Sequence, residues 1–223
     1  MNNIKAVLFD LDNTLIQRMR AIPKVAAAIC KYYFKDRPED HEFISDTFCD
    51  CFSDGYIKNE ECYKLFVDIV GWETPLPYEH FFRFWCFYYP INSTPVDDMT
   101  DSVMYLKNKG YKLGIITNGP IGMQNAKMDT LGEDFRAMFD IIIVSADFGV
   151  HKPDPSIFSF ACAELGFETN ECVYVGDHPR NDVEGARGSG MHTIWYEGFM
   201  PWDEQYEPAK YVISGLRDLM EIL

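Results

Sequence analysis

Asp10 and Asp12 stand one residue apart at the end of the apolar run "AVLF" (Ala6 to Phe9). Carboxylates are poor strand formers and costly to desolvate, so a pair of them closing a strand-like run needs a physical reason. In extended chain, positions i and i+2 point the same way, which would turn both carboxylates toward one site. Adjacent anions repel, and a divalent cation is the simplest compensation; magnesium, with its few oxygen ligands, suits the pair. Three further apolar runs also lead to polar groups. "YKLGIITNG" ends at Thr117 and Asn118, "FDIIIVSADFG" leads into a loop holding Lys152, and "CVYVGDHPRND" ends at Asp177 with Asp182 beyond. Asp177 would supply another carboxylate. Thr117 and Asn118 offer hydroxyl, amide and backbone donors for phosphate-like oxygens. Lys152 offers a positive charge on backbone that Pro153 biases toward extended geometry. These residue types amount to the parts of a phosphoryl-transfer site. One carboxylate attacks, one moves protons, a metal and a lysine neutralise charge, and small polar groups grip the oxygens.

The elements that must position them alternate. Apolar runs at Ala6 to Phe9, Tyr111 to Gly119, Phe139 to Gly149, Cys172 to Asp182, His192 to Tyr196 and Lys210 to Ser214 read as strands. Helical patterns lie near Pro95 to Gly110, over Pro155 to Leu165, over Asp182 to Arg187 and in "GLRDLMEIL". Near-continuous apolar strands alternating with helices predict an α/β fold, a Rossmann-like doubly wound parallel sheet. Ligands of such sheets bind beyond the carboxyl ends of the strands, where the polar residues stand. Residues 17–92 break the rhythm: they are rich in aromatics and cysteines, and their spacing is helical. "FISDTFCDCF" places Phe43, Thr47 and Cys51 on one face, and "CYKLFVDIVGW" places Cys62, Phe66, Ile69 and Val70 on one side. The expected organisation is therefore a core of residues 1–16 and 93–223 with an all-helical insertion at 17–92. Phe81, Phe84, Trp85 and Tyr88 read as packing residues of that insertion.

Composition narrows the partners. The 223 residues carry 20 Lys and Arg against 35 Asp and Glu, a formal net charge of -15. That balance, with no basic stripe, argues against a nucleic-acid polymer and against an anionic membrane as partner. No run approaches the length of a membrane span. The seven cysteines lack zinc-type spacing and read as reduced, mostly buried thiols of a cytoplasmic protein. "GARGSG" does not follow a strand, so it reads as a helix end and turn rather than a dinucleotide fingerprint. His178, beside Asp177, reads as a loop-packing or substrate-contacting residue, and His151 as a surface residue.

Taken in order, "DLDNT", "TN", "HKPDP" and "GDHPRND" resemble the four motifs of the haloacid dehalogenase-like (HAD) superfamily, and the insertion resembles that family's helical cap between motifs one and two. The resemblance implies Asp10 as a nucleophile that forms an aspartyl-phosphate. It implies Asp12 as the acid for the leaving group and then the base for water, with its backbone carbonyl on magnesium. Thr117 and Asn118 would hold the phosphoryl group, and Lys152 would steady Asp10 and the phosphate. Asp177 would be a magnesium ligand, and Asp182 would orient Lys152 or a water of the metal site. A phosphate ester needs a proton on its leaving oxygen, whereas a carbon–halogen bond does not, so Asp12 points to the phosphatase branch. The expected substrate is a small phosphorylated metabolite: a nucleoside monophosphate, a phosphoglycolate-like acid or a sugar phosphate. The alternatives are a sugar-phosphate mutase of the same superfamily, for which "LIQRMRAIPKV" lacks a gating histidine, and a non-catalytic phosphate-binding regulator.

Overall fold

The computed structural model describes residues 3–53 and 59–223. It divides into two compact units, Arg18–Thr94 and the combination of Met1–Gln17 with Pro95–Leu223. The first is helical: α1 (Arg18–Tyr33), α2 (His41–Ser53), α3 (Asn59–Val70) and α4 (Tyr78–Ile91). Each helix buries one stripe. α1 turns in Ile22, Val25, Ala26 and Ile29, α2 Ile44, Phe48 and Phe52, α3 Cys62, Phe66 and Val70, and α4 Phe81, Trp85 and Tyr89. The rings pack closely, with Phe48 stacked on Phe52 at 4.5 Å between centroids and Trp85 5.1 Å from Phe52. Two expected faces are corrected. Phe43 is 51% exposed and Ile69 48% exposed. Each has an apolar neighbour, Ile44 or Val70, about 100° further round the helix, and only one of the two can face the core.

The second unit is built on β1 (Ala6–Phe9), β2 (Lys112–Thr117), β3 (Ile141–Val144), β4 (Cys172–Gly176), β5 (His192–Tyr196) and β6 (Tyr211–Ile213). They form a six-stranded sheet in the order β3-β2-β1-β4-β5-β6, every pair parallel. The two-residue period of a strand divides β1 between two cores. Val7 and Phe9 pack with Val103 and Leu106 of α5 (Met99–Asn108), Phe135 and Leu219; Ala6 and Leu8 pack with Ile157, Phe158 and Ala161. Both faces are thus covered, which explains why the strands read as continuous apolar runs rather than as alternating ones.

Register aligns the strand ends. Phe9 pairs with Ile115 of β2 and with Val175 of β4, so the residues just beyond Phe9, Ile116 and Gly176 emerge at one edge. Between β2 and β3 run α6 (Ile121–Thr130) and α7 (Glu133–Ala137), which the apolar pattern did not announce. β3 is shorter than its sequence run: the chain turns helical at α8 (Ser145–Phe148), and Gly149 ends that turn at φ +85°. α9 (Pro155–Glu164) follows Lys152. A π-helical turn (Pro179–Glu184) follows β4 and runs into α10 (Gly185–Gly188), and α11 (Leu219–Ile222) closes the chain. None of the seven cysteines is in a disulfide, and five of them are buried. Among the described residues, no helix is long and apolar enough to cross a membrane.

Candidate active site

Beyond Phe9 the chain turns at once. The Asp10 N–H donates to the Val175 carbonyl at 2.9 Å, and the Leu15 and Ile16 N–H groups both return to the Leu11 carbonyl. Asn13 sits in the left-handed region at φ +59°, a conformation asparagine tolerates. Leu11 is fully buried, and the two carboxylates meet different lysines. Asp10 meets Lys152 Nζ at 2.5 Å, while Asp12 meets Lys127 Nζ at 2.7 and 2.9 Å through its two oxygens. The turn closes over Asn13 to Leu15, and Asp12 itself forms an isolated bridge with Ile16. Lys127 thus brings a positive charge against the Asp12 carboxylate.

Lys152 is buried, and its ammonium has an acceptor for each hydrogen: Asp10 Oδ1 at 2.5 Å, Asp182 Oδ1 at 2.6 Å and the Tyr174 hydroxyl at 2.9 Å. Burial works against the ammonium charge, yet Asp10 and Asp182 hold its pKa well above the ordinary lysine range. Tyr174 passes the interaction on, donating to the Ile116 carbonyl at 2.7 Å. The loop itself is clamped by Asn118, whose Nδ2 donates to the Lys152 carbonyl and whose Oδ1 accepts from the Lys152 N–H, both at 2.9 Å. The side-chain amide of Asn118 is therefore engaged with backbone. His151 is exposed, and its Nδ1 lies 2.7 Å from the Ser145 hydroxyl.

Across the sheet edge, one oxygen each of Asp10, Asp177 and Asp182 lie within 4.8 Å of one another, and all three residues are buried. Burial pushes the Asp10 carboxyl up to about 7, with Lys152 pulling it down and Asp182 and Asp12 adding to the rise. Burial likewise raises Asp177 well above the usual carboxylate range, with Asp182 and Asp10 adding to it. Both oxygens of Asp182 are taken up, one by Lys152 and the other by the His178 N–H at 3.0 Å. Asp10 and Asp177 each keep one oxygen without a hydrogen-bond partner among the described residues; Asn13 holds the other Asp177 oxygen at 3.2 Å. Carboxylates gathered this closely repel one another unless a cation meets them, and a hard oxygen-seeking ion such as Mg²⁺ fits the set. Gly176 makes the closeness possible, because a Cβ there would lie 2.4 Å from the Asp182 carboxyl carbon. His178 caps the π-helical turn: its Nδ1 accepts from the Arg180 and Asn181 N–H groups at 3.2 and 3.1 Å, and burial lowers its pKa, favouring the neutral ring.

Thr117 is buried at the end of β2, and its hydroxyl accepts from Gln124 Nε2 at 2.5 Å. Gln124 and Lys127, one turn apart on α6, were not anticipated. "IGMQNAKMDT" has a weak apolar period, but the i, i+3 pairing of an amide and a lysine just after "TN" was the signal available. In the helical unit, Arg18 donates to the Phe52 carbonyl at 2.8 Å.

Comparison with known proteins agrees with this geometry. A model of the haloacid dehalogenase-like hydrolases matches residues 4–190. The glyceraldehyde 3-phosphate phosphatase of Methanopyrus kandleri is 33% identical over 58% of this chain and 56% of its own length. The chain thus spans only about half the length of that relative. Human N-acylneuraminate-9-phosphatase is 26% identical over 100% of this chain and 95% of its own. In fold, the chain resembles the HAD-hydrolase YfnB of Bacillus subtilis, with a TM-score of 0.79 at 20% identity over 100% of this chain and 99% of that one. A parallel sheet ending in these carboxylates, with a family match over most of its length, places the chain in the haloacid dehalogenase-like hydrolase family.

Proposed function

We propose that the protein is a magnesium-dependent phosphatase that hydrolyses a small phosphorylated metabolite through an aspartyl-phosphate on Asp10. The observation that carries this reading is the buried set of Asp10, Asp177 and Asp182 with one oxygen of each gathered within 4.8 Å, Asp10 and Asp182 sharing Lys152. The phosphatase names of the relatives support it. Asp10 attacks phosphorus from its open oxygen, and the bond to the leaving oxygen breaks. Asp12 acts first in its protonated form, giving that oxygen its proton, and the carboxylate left behind then takes one from the water that cleaves the acyl-phosphate, which restores the acid. Lys152 holds Asp10 in line and offsets its charge, and Thr117 grips the phosphoryl oxygens. Mg²⁺, held by Asp10, Asp177 and the Asp12 carbonyl, supplies neutralisation of the phosphoryl charge when bound. Asp182 keeps Lys152 in place. The helical unit serves as a cap that excludes water from the first step and selects the leaving group.

The direct test is a panel of nucleoside monophosphates, sugar phosphates and phosphoglycolate-like acids, with p-nitrophenyl phosphate as a general probe. Hydrolysis is expected with Mg²⁺, abolished by a chelator and restored by readdition. Turnover that survives chelation, or no hydrolysis of any member, contradicts the reading.

A further inference from the structure

Lys127 is the side chain of the second unit that the family motifs leave unexplained. It is 1% exposed, as buried as the aliphatic residues around it. A lysine is buried to this degree only when its charge is met. Here both oxygens of Asp12 meet it, at 2.7 and 2.9 Å, and Gln124 Oε1 accepts a third bond at 2.6 Å. Gripping both oxygens fixes the plane of the carboxylate as well as its place. The burial is lopsided: the Asp12 side chain is 18% exposed against 1% for Lys127, so the lysine stands behind and the carboxylate stays open.

Gln124 ties this pair to the phosphoryl grip. With its oxygen facing Lys127, its amide nitrogen faces Thr117 Oγ1 at 2.5 Å, the Asn118 carbonyl at 3.2 Å and Asp12 Oδ2 at 3.2 Å. Two amide hydrogens are shared among three acceptors, and all three belong to the strand ends that carry motifs one and two. Gly119, at φ +145°, admits the amide: a Cβ there would lie 3.1 Å from the Gln124 carboxamide carbon. An ion pair that only filled space could be exchanged for apolar packing at little loss. This one ends on a partly open carboxylate at the catalytic edge and is bonded to the threonine beside it.

We infer that Gln124 and Lys127 act as a positioning pair that holds the Asp12 carboxylate at a fixed distance from the phosphoryl grip, for proton transfer to the leaving oxygen. The inference rests on the phosphatase reading above. It predicts a dependence on the leaving group that loss of packing alone would not produce. An alkyl phosphate needs its leaving oxygen protonated, whereas p-nitrophenyl phosphate expels a stable phenolate and needs little help. The quantity to compare is kcat/KM, which reports steps up to phosphoryl transfer and not the later hydrolysis common to both esters.

The experiment measures kcat/KM with Mg²⁺ for p-nitrophenyl phosphate and for the best alkyl phosphate of the panel. The proteins are the wild type, Lys127→Met, Gln124→Leu and, as reference, Asp12→Asn, with folding checked by circular dichroism. Lys127→Met is expected to lose at least about tenfold more on the alkyl ester than on the aryl one, following Asp12→Asn. Gln124→Leu is expected to lose in the same direction and less. Gln124→Leu keeps both buried charges, so it carries the test if Lys127→Met does not fold. Equal losses on the two esters, or none, overturn the inference and leave the phosphatase reading standing. A wild type inert toward both esters overturns that reading and the inference with it.

Discussion

Three acceptors surround the Lys152 ammonium and fix Asp10, the proposed nucleophile: Asp10 itself, Asp182 and the Tyr174 hydroxyl, at 2.5, 2.6 and 2.9 Å. With every hydrogen placed, the ammonium has one position, and Asp10 is aimed by it. Tyr174 is the acceptor with no charge of its own, and it is tied to the Ile116 carbonyl. Tyr174→Phe should therefore leave a buried carbonyl and one lysine hydrogen unmatched and lower stability by about 1–3 kcal/mol in urea unfolding. An unchanged unfolding midpoint would mean that the hydroxyl adds nothing to the cluster. Asp10, Thr117, Lys152, Asp177 and Asp182 were legible as site candidates because each is a polar residue closing, or following, an apolar run. Tyr174 was not, since tyrosine is an ordinary strand residue. Lys127 was not either, since a lysine on a polar helix reads as solvated. Asp12 was legible as a carboxylate, but its partner could not be read from a segment that had not been recognised as a helix.

At the level of elements, the site depends on a close approach of backbone and side chain. β4 delivers Asp177 and then bends into the π-helical turn that returns Asp182 against Gly176. Asp182 cannot step aside, because Lys152 and the His178 N–H hold its two oxygens. Gly176→Ala should thus cost about 1–3 kcal/mol in thermal or urea unfolding and reduce turnover together with stability. Wild-type stability and activity in that variant would show that the turn has more room than its geometry gives it. The strands were legible from their apolar runs, and β5 coincides with the expected segment, His192 to Tyr196. Two elements were not legible. The turn over residues 10 to 16 depends on a left-handed Asn13 and on backbone bonds to Leu11, which no side-chain pattern displays. α6 places Met123 and Met128 inside beside Gln124 and Lys127, so its buried face is half polar and its period is blurred.

For the whole molecule, parallel pairing in the order β3-β2-β1-β4-β5-β6 brings to one edge residues as far apart in sequence as Asp10 and Asp182. The alternation of apolar runs and helical patterns made that sheet legible, as did the break in rhythm over the helical unit, Arg18–Thr94. Substrate choice was not legible, since the four motifs describe a phosphoryl site and none of them describes a leaving group. The net charge of -15 gives no general attraction to an anionic substrate, so on the proposed reading the attraction is local, from Lys152 and from Mg²⁺. The most direct test of the central claim is to trap the covalent intermediate. Enzyme turning over a radiolabelled phosphomonoester with Mg²⁺ is quenched rapidly in acid, digested and mapped by mass spectrometry. The account predicts label on the peptide that contains Asp10, and its loss, together with turnover, in Asp10→Asn. Steady turnover with no label on that peptide, or undiminished turnover in Asp10→Asn, would contradict it.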